Sequence, residues 1–208
     1  MKILAIETSS AKAGVAVRQN GRIVEARSFD APRGRGAEIF AVLEELRASW
    51  TGLDRLALGI GPGSYNGLRV ACALAGSFQM ALDIDLVTGP SCCLLDVKDA
   101  DYIAAGDARG GRMWWAEVRN RQLQGEIALL SREEFAEQIG NSVLPVYAVG
   151  EIRGFESMAA ASPDAAILAS LAESLPVVTS PAQIEPIYLK PPHITAPKAG
   201  RPWLASTA

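Results

Sequence analysis

Two short stretches carry residue types suited to holding a phosphate or a metal ion. Glu7-Thr8-Ser9 follows the apolar run Ile3-Leu4-Ala5-Ile6, and Asp107-Ala108-Arg109 follows Ile103-Ala104-Ala105-Gly106. Each sets a carboxylate at the end of a run of strand character, beside hydroxyls in the first case and a cation in the second. Phosphoryl transfer needs metal-held phosphates and a cationic clamp. Glu7 and Asp107 would supply the metal ligands, Thr8 and Ser9 the hydroxyls, and Arg109 the clamp, if the two turns face each other across a cleft. The plainer role of the same residues is to satisfy backbone donors within their own turns.

A third stretch organises the chain between them. Leu56 to Ile60 is an apolar run of strand length with no polar face, so both of its sides are covered. Gly61-Pro62-Gly63 ends it, because proline lacks a donor and glycine reaches dihedrals closed to other residues. Ser64 is placed to cap the helix that comes next, and Gly67 inside its first turns implies a close backbone approach. The turn has neither the Lys-Ser/Thr pair of a P-loop nor the spacing of a dinucleotide fingerprint. We therefore treat Gly61, Gly63, Ser64 and Gly67 as a structural turn.

From 68 to 82 the helix is apolar or small nearly all round, and small residues at 71, 72, 75 and 76 allow another helix close approach. A second helix at 37–50 repeats apolar residues at Ile39, Leu43, Leu46 and Trp50, with Phe40 and Val42 flanking. A single strand separates the two helices, which places both on one face of a sheet. The expected partner surface is made of Ile39, Phe40 and Leu43 from the first helix and Arg69, Cys72, Ala73, Ala75 and Gly76 from the second.

Composition removes more readings than it supports. The net charge of the 208 residues is −3, with no basic footprint for binding nucleic acid unaided. The single histidine, His193, rules out a histidine-built metal site and leaves no base for a Ser-His-Asp or Cys-His arrangement unless it folds back. Cys72, Cys92 and Cys93 lie in apolar sequence and read as buried free thiols of a reducing compartment. Met1-Lys2 leads into a strand without a signal pattern, and no stretch is long enough to span a membrane, so a cytoplasmic location is expected.

The remaining elements frame these stretches. Residues 2–6, 14–18 and 22–27 read as an antiparallel meander with a hairpin turn at Asn20-Gly21. A basic glycine-containing loop at 32–36 precedes the first helix. A short strand at 84–88 and a helix from Gly89-Pro90-Ser91 to about Val97 close the first half. The second half repeats the opening: strands near 101–105, 113–118 and 123–130, a helix from Ser131 whose Glu134 completes a capping box, a strand at 143–149, a helix at 164–175 and an extended piece at 186–190. The expected division is an N-terminal lobe at 1–100, a C-terminal lobe at 101–192 and a poorly ordered tail at 193–208. This pattern implies two α/β halves of related design.

Ile3-Leu4-Ala5-Ile6-Glu7-Thr8-Ser9, Gly61-Pro62-Gly63-Ser64-Tyr65-Asn66-Gly67-Leu68-Arg69, Asp107-Ala108-Arg109 and Pro186-Ile187-Tyr188-Leu189-Lys190 occur in that order. Together they resemble the bacterial TsaB (YeaZ) family, over nearly the whole chain to about Pro192. The resemblance implies a two-lobed α/β fold of the actin, sugar-kinase and heat-shock-ATPase type, which is ribonuclease H-like. It also implies a part in making N6-threonylcarbamoyladenosine at position 37 of tRNA. In that scheme the metal-bearing paralogue TsaD transfers the threonylcarbamoyl group, a TsaB-type chain binds TsaD as a partner or activator, and the ATPase TsaE joins the pair. tRNA is then met indirectly, and a homodimer forms when the chain is alone. Glu7 stands where the family usually has Asp, Asn66 where Thr is common, and Arg33-Gly34-Arg35 where a histidine often precedes the first interface helix.

Three readings compete at this stage. The first is a non-catalytic partner subunit with no catalytic residue and no metal or cofactor of its own, in which ATP and Mg²⁺ enter only weakly or in the assembled complex. The vestigial cleft would then be lined by Glu7, Thr8, Ser9, Asp107 and Arg109. The second is a sugar-kinase-like phosphotransferase or ATPase using those same residues. The third is a homodimer with an unrelated ligand in the cleft.

Overall fold

The computed structural model describes residues 1–31, 38–179 and 184–189. The loop expected at 32–36, Lys190 at the end of the extended piece and the tail at 193–208 lie outside the described residues. The opening meander is β1 (Lys2–Glu7), β2 (Lys12–Gln19) and β3 (Arg22–Asp30). At its second turn Asn20 and Gly21 take φ of 49° and 82°, the left-handed pair that a two-residue hairpin requires. Alternation along β1 sends Leu4 and Ile6 to one side of the sheet and Ile3 and Ala5 to the other, and all four are fully buried. That is why the run shows no polar face in the sequence.

The helix expected at 37–50 is two pieces, α1 (Glu38–Glu45) and α2 (Arg47–Trp50). Trp50 Nε1 donates to the Leu43 carbonyl at 2.8 Å, the acceptor that an unbroken helix would give to the backbone at 47, and the chain breaks at Leu46. Next come β4 (Arg55–Gly59), α3 (Tyr65–Leu82) and β5 (Asp85–Gly89), and β4 lies parallel to both β1 and β5. As the single-strand connection implies, α1, α2 and α3 share one face of the sheet, where Ile39, Leu43, Leu46, Ala71 and Ala75 pack over Leu4, Ile6, Leu56 and Leu58. Trp50 meets Phe78 edge-on at 5.2 Å, which joins α2 to α3.

The helix expected from Ser91 to about Val97 is only a 3-10 turn at Ser91–Leu94. Its residues are all buried, and Leu95 with them. Leu94 packs under the first sheet, while Cys92, Cys93 and Leu95 pack under the second. The segment is thus wedged between the two sheets, with core on both sides.

The second sheet contains β6 (Asp101–Arg109), β7 (Arg112–Arg119), β8 (Gln122–Leu130), β9 (Val146–Val149) and β10 (Ala159–Ala161), with α4 (Arg132–Asn141) between β8 and β9. Its order, β10-β9-β6-β7-β8, matches β5-β4-β1-β2-β3 strand for strand, with the same parallel and antiparallel neighbours. The capping box at Ser131 and Glu134 is present as read. Residues 164–178 lie in the stretch expected to be the second lobe, yet α5 (Ala165–Leu171) and β11 (Val177–Val178) join the first sheet. Leu168 and Ala169 of α5 cover Ile3, Ala5 and Ala16, the face that α1 and α3 leave open. Residues 184–189 then cross in front of β4, where the Ile187 N–H donates to the Ile60 carbonyl at 2.8 Å.

Candidate functional site

Glu7 is fully buried, inside the first lobe and not on a cleft wall. Its Oε1 accepts from the Ser9 N–H at 2.6 Å and its Oε2 from the Ser91 hydroxyl at 2.7 Å. Ser91 Oγ in turn accepts from the Gly61 N–H at 2.9 Å, and the Ser91 N–H donates to the Gly61 carbonyl at 2.7 Å. Burial pushes the Glu7 carboxyl above its ordinary range, and the hydrogen bonds from Ser9 and Ser91 offset part of that rise. Gly59 has no side chain for a direct reason: a Cβ there would run into Glu7 Oε2. The carboxylate is a brace holding β1, β4 and the 3-10 turn together.

Thr8 and Ser9 close the same region from the other side. Thr8 Oγ1 donates to the Gly67 carbonyl at 2.9 Å, and the Ser9 carbonyl accepts from the Ser64 N–H at 2.6 Å. A Cβ on Gly63 would enter the Ser9 carbonyl, and one on Gly67 would enter the Thr8 carbonyl. The close approach that the glycines imply is therefore made by the chain's own backbone. Gly61 takes φ of 93° ahead of a cis bond to Pro62, and Ser64 caps α3 by accepting from the Gly67 N–H at 3.3 Å. Thr8 and Ser9 thus lie directly against the turn that precedes α3. Ser9 Oγ is buried without a hydrogen-bond partner among the described residues.

Asp107 is exposed, and its Oδ1 accepts from the Arg109 N–H at 2.6 Å across the tip of the β6–β7 hairpin. Arg109 is also exposed, with φ of 62°. The two carboxylates singled out in the sequence thus sit in unlike settings, one sealed in the core and one on a hairpin tip. Among the described residues no group of three or more metal-ligating side chains occurs.

The expected partner surface divides by burial. Ile39, Leu43 and Ala75 are 2%, 6% and 0% exposed and belong to the core over the first sheet; helical spacing could not tell the inward row from the outward one. Phe40, Arg69 and Ala73 are exposed, and Cys72 and Gly76 half-buried. Sequence reasoning missed three further members of this outward face. Met80 is 84% exposed, and Tyr65 and Tyr188 are 42% and 43% exposed with ring centroids 5.2 Å apart. The Arg69 guanidinium lies over the Tyr65 ring at 5.4 Å. Met80 follows Gly76 at helical spacing, a signal the sequence did carry. Tyr188 arrives through the long-range Ile187–Ile60 bond, for which the sequence holds no local signal. Among the described residues no helix is long and apolar enough to cross a membrane.

Comparison with known proteins fits this geometry. Residues 37–121 match the family model described as TsaD, tRNA N6-adenosine threonylcarbamoyltransferase. The tRNA threonylcarbamoyladenosine biosynthesis protein TsaB of Escherichia coli is 30% identical over 130 residues, which cover 57% of this chain and 55% of that protein. Its Haemophilus influenzae counterpart is 26% identical over 151 residues, covering 67% and 64%. The chain thus spans between half and two thirds of the curated relatives it matches. Among solved structures, YeaZ from Pseudomonas aeruginosa superposes with a TM-score of 0.71 at 24% identity, covering 90% of this chain and 99% of that one. A structure of an uncharacterized protein with similarity to peptidase YEAZ, from the same organism, gives 0.72 at 24% identity, covering 91% and 99%. The mixed α/β fold with two sheets is the fold of these YeaZ-type structures.

Proposed function

We propose a function from a premise that these relatives and neighbours support, namely that the chain is a TsaB (YeaZ) family protein. It takes part in forming N6-threonylcarbamoyladenosine on tRNA, and does so as a non-catalytic partner that docks a TsaD-type paralogue. The observation that carries this reading is the outward face of α3, where Tyr65, Arg69, Ala73 and Met80 stand exposed beside Phe40 of α1. An exposed apolar helix face flanked by an arginine and tyrosines has the composition of a binding hot spot. TsaE joins through the resulting pair, and tRNA is engaged by the assembly, since a net charge of −3 does not favour binding of nucleic acid by this chain unaided.

The kinase-like reading is disfavoured because these groups are committed within the chain, Thr8 Oγ1 to the Gly67 carbonyl and Glu7 to Ser9 and Ser91. The purified chain is expected neither to turn over ATP nor to cleave glycoproteins. ATP turnover above a blank that disappears in Asp107→Ala would reverse that assignment. Docking is tested by titrating the chain with the TsaD paralogue of the same organism and by reconstituting tRNA modification with and without it. Ala73→Arg should keep the wild-type melting curve and weaken binding at least tenfold. Ala75→Arg should unfold the protein, because its side chain has no exposure. If Ala73→Arg and Met80→Arg both bind the paralogue with unchanged affinity, the docking face lies elsewhere.

A further inference from the structure

Among the described residues the chain passes between its two lobes three times. The first two passages, at 94–96 and 162–164, lie side by side and pair antiparallel at Leu95 and Pro163. There the Asp96 N–H donates to the Ser162 carbonyl at 3.1 Å, and the Asp164 N–H to the Leu94 carbonyl at 2.9 Å. Two short connections placed together form one hinge, about which packed lobes can turn. The third passage is the strap at 184–189. Ile184 packs on the core over the first sheet, and Leu189 on the cluster under the second. Five residues give at most about 18 Å of chain between them, so the strap has little slack. Among the described residues its one backbone hydrogen bond is the 2.8 Å contact from the Ile187 N–H to the Ile60 carbonyl. The next residue, Tyr188, lays its ring on Tyr65 of α3, which also lies under the Arg69 guanidinium. Consecutive residues of the strap thus touch the exposed face of α3 and the core of the second lobe.

We propose that this strap couples the docking face of α3 to the angle between the lobes. A partner seated on α3 covers Tyr188 together with Tyr65 and Arg69, a group of the composition that interfaces bury at their centre. It thereby holds the strap against the first lobe. Leu189 is fixed in turn, and the second lobe no longer turns about the hinge at 94–96 and 162–164. The coupling runs both ways. Freeing the strap from the second lobe weakens docking, because the partner must then order a looser segment at a cost in chain entropy. The inference rests on α3 being the docking face for a TsaD-type partner and adds what docking does to the rest of the chain.

The test uses the full chain with spin labels carried on azidophenylalanine in place of Val24 and Val143. These sites are exposed and lie in different lobes, so the distance between the labels reports the angle between the lobes. Its distribution should be broad for the chain alone and narrow once the TsaD paralogue is added. Tyr188→Ala and Leu189→Ala should each weaken docking about fivefold or more, and at saturating partner the distribution should stay broad. Tyr188→Phe, which keeps the ring, should behave as the wild type. Tyr188 is exposed, so its variant reads the coupling even if Leu189→Ala fails to fold. A distribution that the bound partner leaves unchanged overturns the coupling while docking stands. So does one that narrows as fully in Tyr188→Ala as in the wild type. If the paralogue does not bind the wild type at all, the docking function falls and the coupling falls with it.

Discussion

The two lobes run the same five-strand plan, and they part company after the strand that lies parallel to the first. Between β4 and β5 stands α3, 18 residues long; between β9 and β10 the chain passes residues 150–158 without a helix. The carboxylates at the ends of β1 and β6 differ in the same direction. Glu7 and Asp107 each accept from the N–H two residues on, both at 2.6 Å. Glu7 has the further methylene that lets its second oxygen reach Ser91, and the glycine turn before α3 folds over it. Asp107 has no such cover and stays exposed. One local motif thus serves as a buried brace where a long helix must be anchored, and as a simple turn where none is present.

The sharpest way to break that contrast is to fill the glycines. Gly63→Val and Gly67→Val place a side chain into the Ser9 and Thr8 carbonyls, and backbone has no rotamer through which to yield. Each should cost about 3 kcal/mol or more, or prevent folding. Gly111→Ala, at the tip of the second-lobe hairpin, meets nothing within 4 Å but has φ of 72°, and should cost only about 1 kcal/mol. Denaturant unfolding of the three variants checks the ranking. Near-equal losses would show that the first turn is no more constrained than the second.

How far the sequence disclosed this arrangement depended on the reach of each interaction. The Asn20-Gly21 turn, the Ser64 cap and the Ser131–Glu134 capping box were legible because every partner lies within three residues. The glycines at 63 and 67 announced a close approach without saying to what. The burial of Glu7 was not legible, since its partner Ser91 is 84 residues away and became a brace only once the expected helix at 91–97 was a short turn. The return of α5 to the first sheet was hidden for the same reason. An apolar helix is complementary to any uncovered sheet face, and its pattern does not name which one. In the partner surface, Ile39 and Leu43 looked equivalent to Phe40 until the sheet fixed which row faced inward.

A middle-sized effect is expected at the carboxylates themselves. Glu7→Ala removes the acceptor of two buried donors, Ser9 N–H and Ser91 Oγ, and should destabilise by about 2–4 kcal/mol. Asp107→Ala frees an exposed N–H that water can satisfy, and should cost under about 1 kcal/mol. The same pair bears on the proposed function. If Glu7 acts only as a brace, a Glu7→Gln protein that still folds should keep its affinity for the TsaD paralogue.

The smallest expected effect is one of pH, and its sign differs between the lobes. Burial raises the Glu7 pKa in the folded state. The folded protein then holds this proton more tightly than the unfolded chain, so the contribution of Glu7 is fully present below the unfolded value of about 4.3 and is lost as pH rises through the folded value. Glu134 is the reverse case. Hydrogen bonds from the Ser131 backbone and hydroxyl hold its pKa below the ordinary range, with Arg112 adding to the effect. Its contribution is present above the unfolded value and is lost as pH falls through the folded one. Denaturant unfolding from mildly acidic to neutral pH should therefore show a decline with rising pH that disappears in Glu7→Gln. Glu134→Gln should instead remove a small gain seen on leaving acid. Because Glu134 is exposed, that second change will be slight and weakened by salt, and the Glu7 change should be insensitive to salt. Should both slopes respond to salt alike, Glu7 would be in contact with solvent, and the brace that distinguishes the first lobe from the second would not exist.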